Sequence, residues 1–174
     1  TLGKLEQSAK TFSNSSVRIA KSQILLELFQ FSEALKLLEP ISLITVRLKN
    51  LHLARGMVYY YDREFEGAVD EFEQELQIAP KSKVALLYLA QSHFELENFF
   101  QAERLFLRTI KQGVHSMDVL HRLGDIYSGP RDIPSRALQY YNKALDSASR
   151  AGNRMMTLQI DKKIEDLERK VRLK

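Results

Sequence analysis

Three alanines, Ala34, Ala68 and Ala102, stand 34 residues apart, and other residues keep the same step. Phe31, Phe65 and Phe99 form a second ladder, and Leu38, Phe72 and Phe106 a third. Ser22, Gly56 and Ala90 make a fourth rung of small residues, which Gly124 extends. A fixed period of this size means that one supersecondary unit is repeated and stacked, each copy burying its apolar face against the next. Such a chain works through a surface, so the search for function turns from a catalytic pocket to a binding face.

The punctuation between rungs is helical. Pro80, Gly113, the Gly129–Pro134 turn and Gly152 each fall where an amphipathic segment ends. Helices are expected at about 15–29, 32–39, 43–61, 65–78, 82–96, 99–112, 117–128, 135–150 and 153–172. Ser82 and Ser116 precede apolar-periodic segments and should cap them, with Ser32 and Ser135 doing the same for shorter helices. Short links make successive helices antiparallel. The expected fold is all-α, a right-handed α-solenoid of antiparallel helix pairs. Its repeats span 15–48, 49–82, 83–116 and 117–151, preceded by an arm or the end of an upstream repeat at 1–14 and followed by a capping helix at 152–174.

The ladder resembles the tetratricopeptide repeat, a helix–turn–helix unit of this length. Repeat two carries the resemblance best, through Gly56, Tyr59, Phe65, Ala68, Phe72 and Pro80. Repeat three offers Leu89, Ala90, Phe99, Ala102 and Phe106. Repeat four offers Leu123, Gly124, Tyr127, Ala137, Tyr141 and Ala144, its second half displaced by one residue. Repeat one keeps Phe31, Ala34 and Leu38 but little else; His52 occupies the tryptophan slot and Glu75 an alanine slot. The small rungs let paired helices approach closely, where a larger residue would cost about 1–3 kcal/mol in overpacking.

The resemblance implies a concave face lined by the first helix of each pair. Its inward positions map to Ser16, Ile19, Gln23, Leu26 and Glu27; to Asn50, Leu53, Met57, Tyr60 and Tyr61; to Val84, Leu87, Gln91, Phe94 and Glu95; and to Asp118, His121, Asp125, Ser128 and Gly129. The candidate groove for a peptide or amphipathic helix is Ile19, Leu53, Met57, Tyr60, Leu87, Gln91, Phe94 and His121, apolar in the middle and polar at its ends. The alternative is that the array curls tightly and these residues pack on one another or on the N-terminal arm. The cationic clamp by which some family members hold a chaperone's terminal carboxylate is missing: of its positions in either register, only Arg122 fits.

The expected function is non-catalytic protein binding, as an adaptor or assembly module. The alternatives are a scaffold that self-associates through an array end, as a homo-oligomer, and nucleic-acid binding through the basic C-terminal helix. Residues 150–174 carry eight Lys/Arg against four Asp/Glu, which accounts for the whole chain's net charge of +4. A nucleic-acid solenoid would spread its cations along the groove, so that partner is disfavoured. The helix itself reads as a cap, with Ile160, Ile164, Leu167 and Val171 on its buried stripe.

The absence of cysteine excludes disulfides, thiolate metal sites and cysteine nucleophiles, and leaves the compartment open with a cytoplasmic default. No metal or cofactor is expected. His93 reads as a packing residue, and His115 and His121 lack ligand spacing. Asp70/Glu71 and Glu73/Glu75 are expected on a solvated helix face. Tyr59, Tyr60 and Tyr61 point in different directions along a helix and make no stacking platform. No apolar run reaches the roughly 18 residues of a membrane span. Asn14-Ser15-Ser16 is a sequon of the kind chance supplies.

Overall fold

The computed structural model describes residues 14–25, 28, 30–38 and 51–172, without the side chains of Phe31 and Ser32. Expectations that fall on Leu26, Glu27, Asn50, the start of the 43–61 helix and the N-terminal arm up to residue 13 lie outside the described residues. Among the described residues there are nine helices and no strand. They are α1 (14–25), α2 (Phe31–Leu38), α3 (Leu51–Tyr61), α4 (Phe65–Ile78), α5 (Lys83–Glu95), α6 (Phe99–Lys111), α7 (Met117–Ser128), α8 (Pro134–Arg150) and α9 (Arg154–Arg172).

The chain divides into two compact units, Thr1–Leu96 and Glu97–Lys174. In the first, α2 packs on α3, α3 on α4, α4 on α5, and α3 also meets α5. Ile19, Ala34, Leu38, Leu51, Ala54 and Val58 form a buried cluster there, with Leu25, Leu35 and Met57 packed against it. In the second, α6 packs on α7, α7 on α8 and α8 on α9. Its core holds Val119, Leu123, Ile126, Tyr127, Tyr141, Ile160 and Leu167.

The small rungs are close-approach points. A methyl added at Gly56 would stand 2.6 Å from the Phe72 ring, and one at Gly124 would stand 2.3 Å from the Tyr141 ring. Ala34, Ala68, Ala102 and Ala137 are wholly buried. The turns repeat as well. Arg63, Glu97 and Asp132 all take positive φ, at 65°, 58° and 46°, so the left-handed turn residue recurs at the ladder's step and follows the one-residue displacement in repeat four. At the end of α6, Gly113 has φ 83°. The same rung of repeat two holds Ala79 at φ −125°, outside the helical region that the following Pro80 disfavours.

Ser82 and Ser116 cap α5 and α7, accepting from the Ala85 and Val119 amides at 3.3 Å each. Ser135 is not a cap, contrary to the pattern reading. Pro134 supplies the first helical residue of α8, so Ile133 is the boundary and Ser135 lies inside the helix. Ser32 likewise lies within α2. The start of α9 is fixed by Asn153, whose side-chain oxygen accepts from the Met156 amide at 3.1 Å.

Candidate functional site

The face of interest in the first unit is built by α3 and α5. On α3, Leu53, Met57 and Tyr60 follow one another at helical spacing; on α5, Val84, Leu87, Gln91 and Phe94 do the same. Val84 is exposed and the other six are half-buried. The opposite side of α5, Ala85, Leu86, Leu89 and Ala90, is buried. This helix is therefore apolar on two sides, one spent on the core and the other partly open to solvent.

Aromatic rings join the two helices. Tyr60 lies edge-on to Tyr61, Phe65 and Tyr88, with ring centroids 5.6, 5.7 and 5.0 Å apart. The Tyr61 and Tyr88 hydroxyls are hydrogen-bonded at 2.8 Å. Burial, and then the bond to Tyr61, push the Tyr88 phenol above its ordinary range, so it remains a neutral hydroxyl at physiological pH. At these separations the rings touch, leaving no cage for a cation between them. The patch offers contact area and hydroxyl groups rather than acid–base chemistry.

Ile19 does not share this face. It is 7% exposed and belongs to the core cluster with Ala34 and Val58, so it leaves the candidate set. Met57 is half spent, since it packs against that cluster. Ser16 and Gln23 of the same helix are exposed.

Two carboxylates expected in solvent hold this face in place instead. Glu75 is 2% exposed and accepts from the Leu53 amide at 3.3 Å, capping the first turn of α3. Glu71 is half-buried and meets His52 Nδ1 at 2.8 Å and the Arg55 guanidinium at 3.4 Å. Asp70 and Glu73 are exposed, as the pattern had them. The signal for Glu75 was present in the ladder: a charged residue standing in an alanine slot.

His121 belongs to the second unit, with its own surroundings. Its Nε2 lies 3.9 Å from Asp125 and forms no hydrogen bond. Burial holds the imidazole below its usual pKa; the pull of Asp125 the other way is countered by Lys163 and Arg122. Asp125 also accepts from the Tyr141 hydroxyl at 2.7 Å and from Lys163, while Ser128 bonds that same hydroxyl at 2.9 Å. Asp125, Ser128, Tyr141, Lys163, Asp166 and Lys170 are among the residues lining a cleft of about 270 Å³. Lys163 was not foreseen as Asp125's partner, since the two are 38 residues apart and off the ladder.

A second polar knot in this unit went unread. Glu103 accepts from Tyr127 and from Arg131 Nε, each at 2.6 Å, and Arg131 lies over the exposed Phe100 ring at 5.3 Å. A cleft of about 450 Å³ opens between Phe100 and Pro130. Among the described residues there is no group of three or more His, Asp or Glu side chains placed to hold a metal ion, and no helix is long and apolar enough to cross a membrane.

No protein-family model matches the sequence, and no curated protein matches it. Solved structures of MamA do. One crystal structure of MamA aligns with a TM-score of 0.72 at 14% identity, over 85% of this chain and 86% of that chain. MamA from Desulfovibrio magneticus RS-1 gives 0.69 at 16% identity, over 90% and 96%. A MamA structure from AMB-1 gives 0.68 at 16% identity, over 89% and 92%. At such identities the likeness is one of fold. The fold is all-α and built of packed helix pairs of the tetratricopeptide type.

Proposed function

We propose that this tetratricopeptide-type chain is a non-catalytic protein-interaction module that docks a peptide or amphipathic helix on the α3/α5 face. In this reading the repeats run 15–48, 49–82, 83–116 and 117–151, with 152–174 as a cap. The observation that carries it is the two-sided apolar character of α5. Val84 is exposed, and Leu87 and Phe94 are only half-buried, beside Leu53 and Tyr60 of the helix it touches. A solvated helix normally turns such residues inward, and an apolar patch with polar neighbours marks a place where another chain sits. Tyrosine and phenylalanine anchors are what interface centres favour, and Met57 adapts to varied partners.

The experiment is affinity capture with the wild-type chain and with Tyr60→Glu/Leu87→Glu. A ligand held on this face is lost from the variant. Undiminished recovery of every partner, with circular dichroism showing an intact helical fold, would sink the groove reading.

A further inference from the structure

The second helix of a repeat turns one stripe of positions to solvent. In repeat two these are Glu66, Asp70, Glu73 and Gln77; in repeat four, with its one-residue displacement, they are Ser135, Gln139, Asn142 and Asp146. All of them are polar and exposed. In repeat three the same positions hold Phe100, Arg104, Leu107 and Lys111. Steps of four, three and four residues set these side chains in one line along α6. Phe100 is 63% exposed and Leu107 38%, and both cations are exposed. The opposite side of α6 carries its buried residues, Ala102, Leu105, Phe106 and Thr109.

The stripe is therefore a solvent-facing rung whose chemistry departs from the other repeats. Two exposed apolar side chains alternate with two cations, and neither Arg104 nor Lys111 is ion-paired with another described residue. The one carboxylate of α6, Glu103, is held by Tyr127 and Arg131, and Arg131, over the Phe100 ring, is spent on that bond. Two exposed cations of α8 stand beside it. Arg136 Nη1 donates at 3.4 Å to the same Tyr127 hydroxyl that bonds Glu103. Lys143 lies 5.6 Å over the Tyr140 ring, which stacks on Tyr127.

We propose that this side of the second unit rests on an anionic lipid surface, with Phe100 and Leu107 set below the headgroups and Arg104, Lys111, Arg136 and Lys143 among the phosphates. The stripe is a ridge. A stable protein partner covers about 800 Å² on each side, and one line of side chains on a single helix offers a fraction of that, with no hollow to hold a partner's anchors. A bilayer surface asks for no matching shape. It takes apolar side chains between its headgroups and cations onto their phosphates, which is the alternation found here. Nucleic acid would use the cations and leave Leu107 in water.

The test is co-sedimentation of the full chain with phosphatidylcholine vesicles made with and without phosphatidylserine. Binding should need phosphatidylserine and weaken as salt rises. Each cation at such a surface contributes about fivefold to partition, so Arg104→Glu/Lys111→Glu should bind about 25-fold more weakly or worse. Phe100→Ser/Leu107→Ser should lose about tenfold or more. A chain of net charge +4 adheres to anionic vesicles by charge alone, so Lys162→Glu/Arg169→Glu on α9, equally exposed and equal in charge change, is the comparison and should lose less than the α6 pair. Because the chain has no cysteine, Leu107→Cys accepts a single environment-sensitive dye. Its emission should shift to the blue on phosphatidylserine vesicles, while a dye on Glu73→Cys, at the same position of repeat two, should not shift. All these positions are exposed, so circular dichroism should be unchanged. No binding to phosphatidylserine vesicles, equal loss in the α6 and α9 charge variants, full binding by Phe100→Ser/Leu107→Ser, or no blue shift at Leu107→Cys would each overturn the proposal.

Discussion

Gly124→Ala puts the ladder's central claim under load. The added methyl would stand 2.3 Å from two carbons of the Tyr141 ring, where ordinary contact is 3.4–4 Å. Something must move by about 1 Å. The ring cannot swing away freely: Tyr141 is 2% exposed, and its hydroxyl is held by Asp125 and Ser128. Overpacking costs about 1–3 kcal/mol, and the pinned ring argues for the upper part of that range. Alanine returns about 1 kcal/mol through helix propensity. The net loss is about 2 kcal/mol, which for a chain of this size lowers Tm by about 4–8 °C. The assay is thermal and urea unfolding followed by circular dichroism. Gly67→Ala is the internal control, since its methyl would meet the half-buried Tyr59 ring at 3.2 Å, a neighbour with room to give. It should be neutral or stabilised by up to about 1 kcal/mol. If Gly124→Ala is as stable as Gly67→Ala, the small rungs are not contact points and the packing argument is wrong.

Two further outcomes follow from the buried polar groups. Glu75→Ala should destabilise by about 1–3 kcal/mol in urea unfolding, because it strands the Leu53 amide, whereas Glu75→Gln should keep most of the stability; equal loss in both would mean that packing volume rather than the hydrogen bond matters. For His121, burial lowers the folded-state pKa below 6.5, so the unfolded chain holds more protons as pH falls through that value. Its stabilising share is present above that value and is lost as pH drops through the folded one. Urea midpoints from about pH 7 to about pH 5 should therefore fall more steeply for wild type than for His121→Gln, and parallel curves would count against a buried neutral imidazole.

Much of the architecture was legible because close packing leaves a record in residue size. The Gly56, Ala90 and Gly124 rung, the serines at 82 and 116 and the turn residues at 63, 97 and 132 each repeat one local geometry. A repeat that must dock on its neighbour has few ways to do so. Glu75 and Lys163 escaped for the opposite reason. Their partners, the Leu53 amide and Asp125, lie on other helices, and hydrophobic periodicity reports only which side of its own helix a residue occupies. Ser135 was misread because Pro134 satisfies the helix start by a different device, replacing an orphan N–H instead of capping it.

One rung shows where such reasoning stops and why function sits beyond it. Ile19, Leu53, Leu87 and His121 occupy the same repeat position, so register predicts one environment for all four. Ile19 is buried, and the others are half-buried. Register fixes the direction a side chain takes from its helix axis, while depth depends on which helices flank it. In α1 the buried stripe is Ser15, Ile19 and Ser22, whereas α3 buries Leu51, Ala54, Gly56 and Val58. Only the rung of Ser22 and Gly56 is common to both, because α3 is covered by α2 and α1 has no described counterpart on that side. An apolar residue in a packing position that no described element covers is therefore a different signal from an apolar residue in a groove position. Val17 and Ile24 are of the first kind, and Leu87 and Phe94 are of the second.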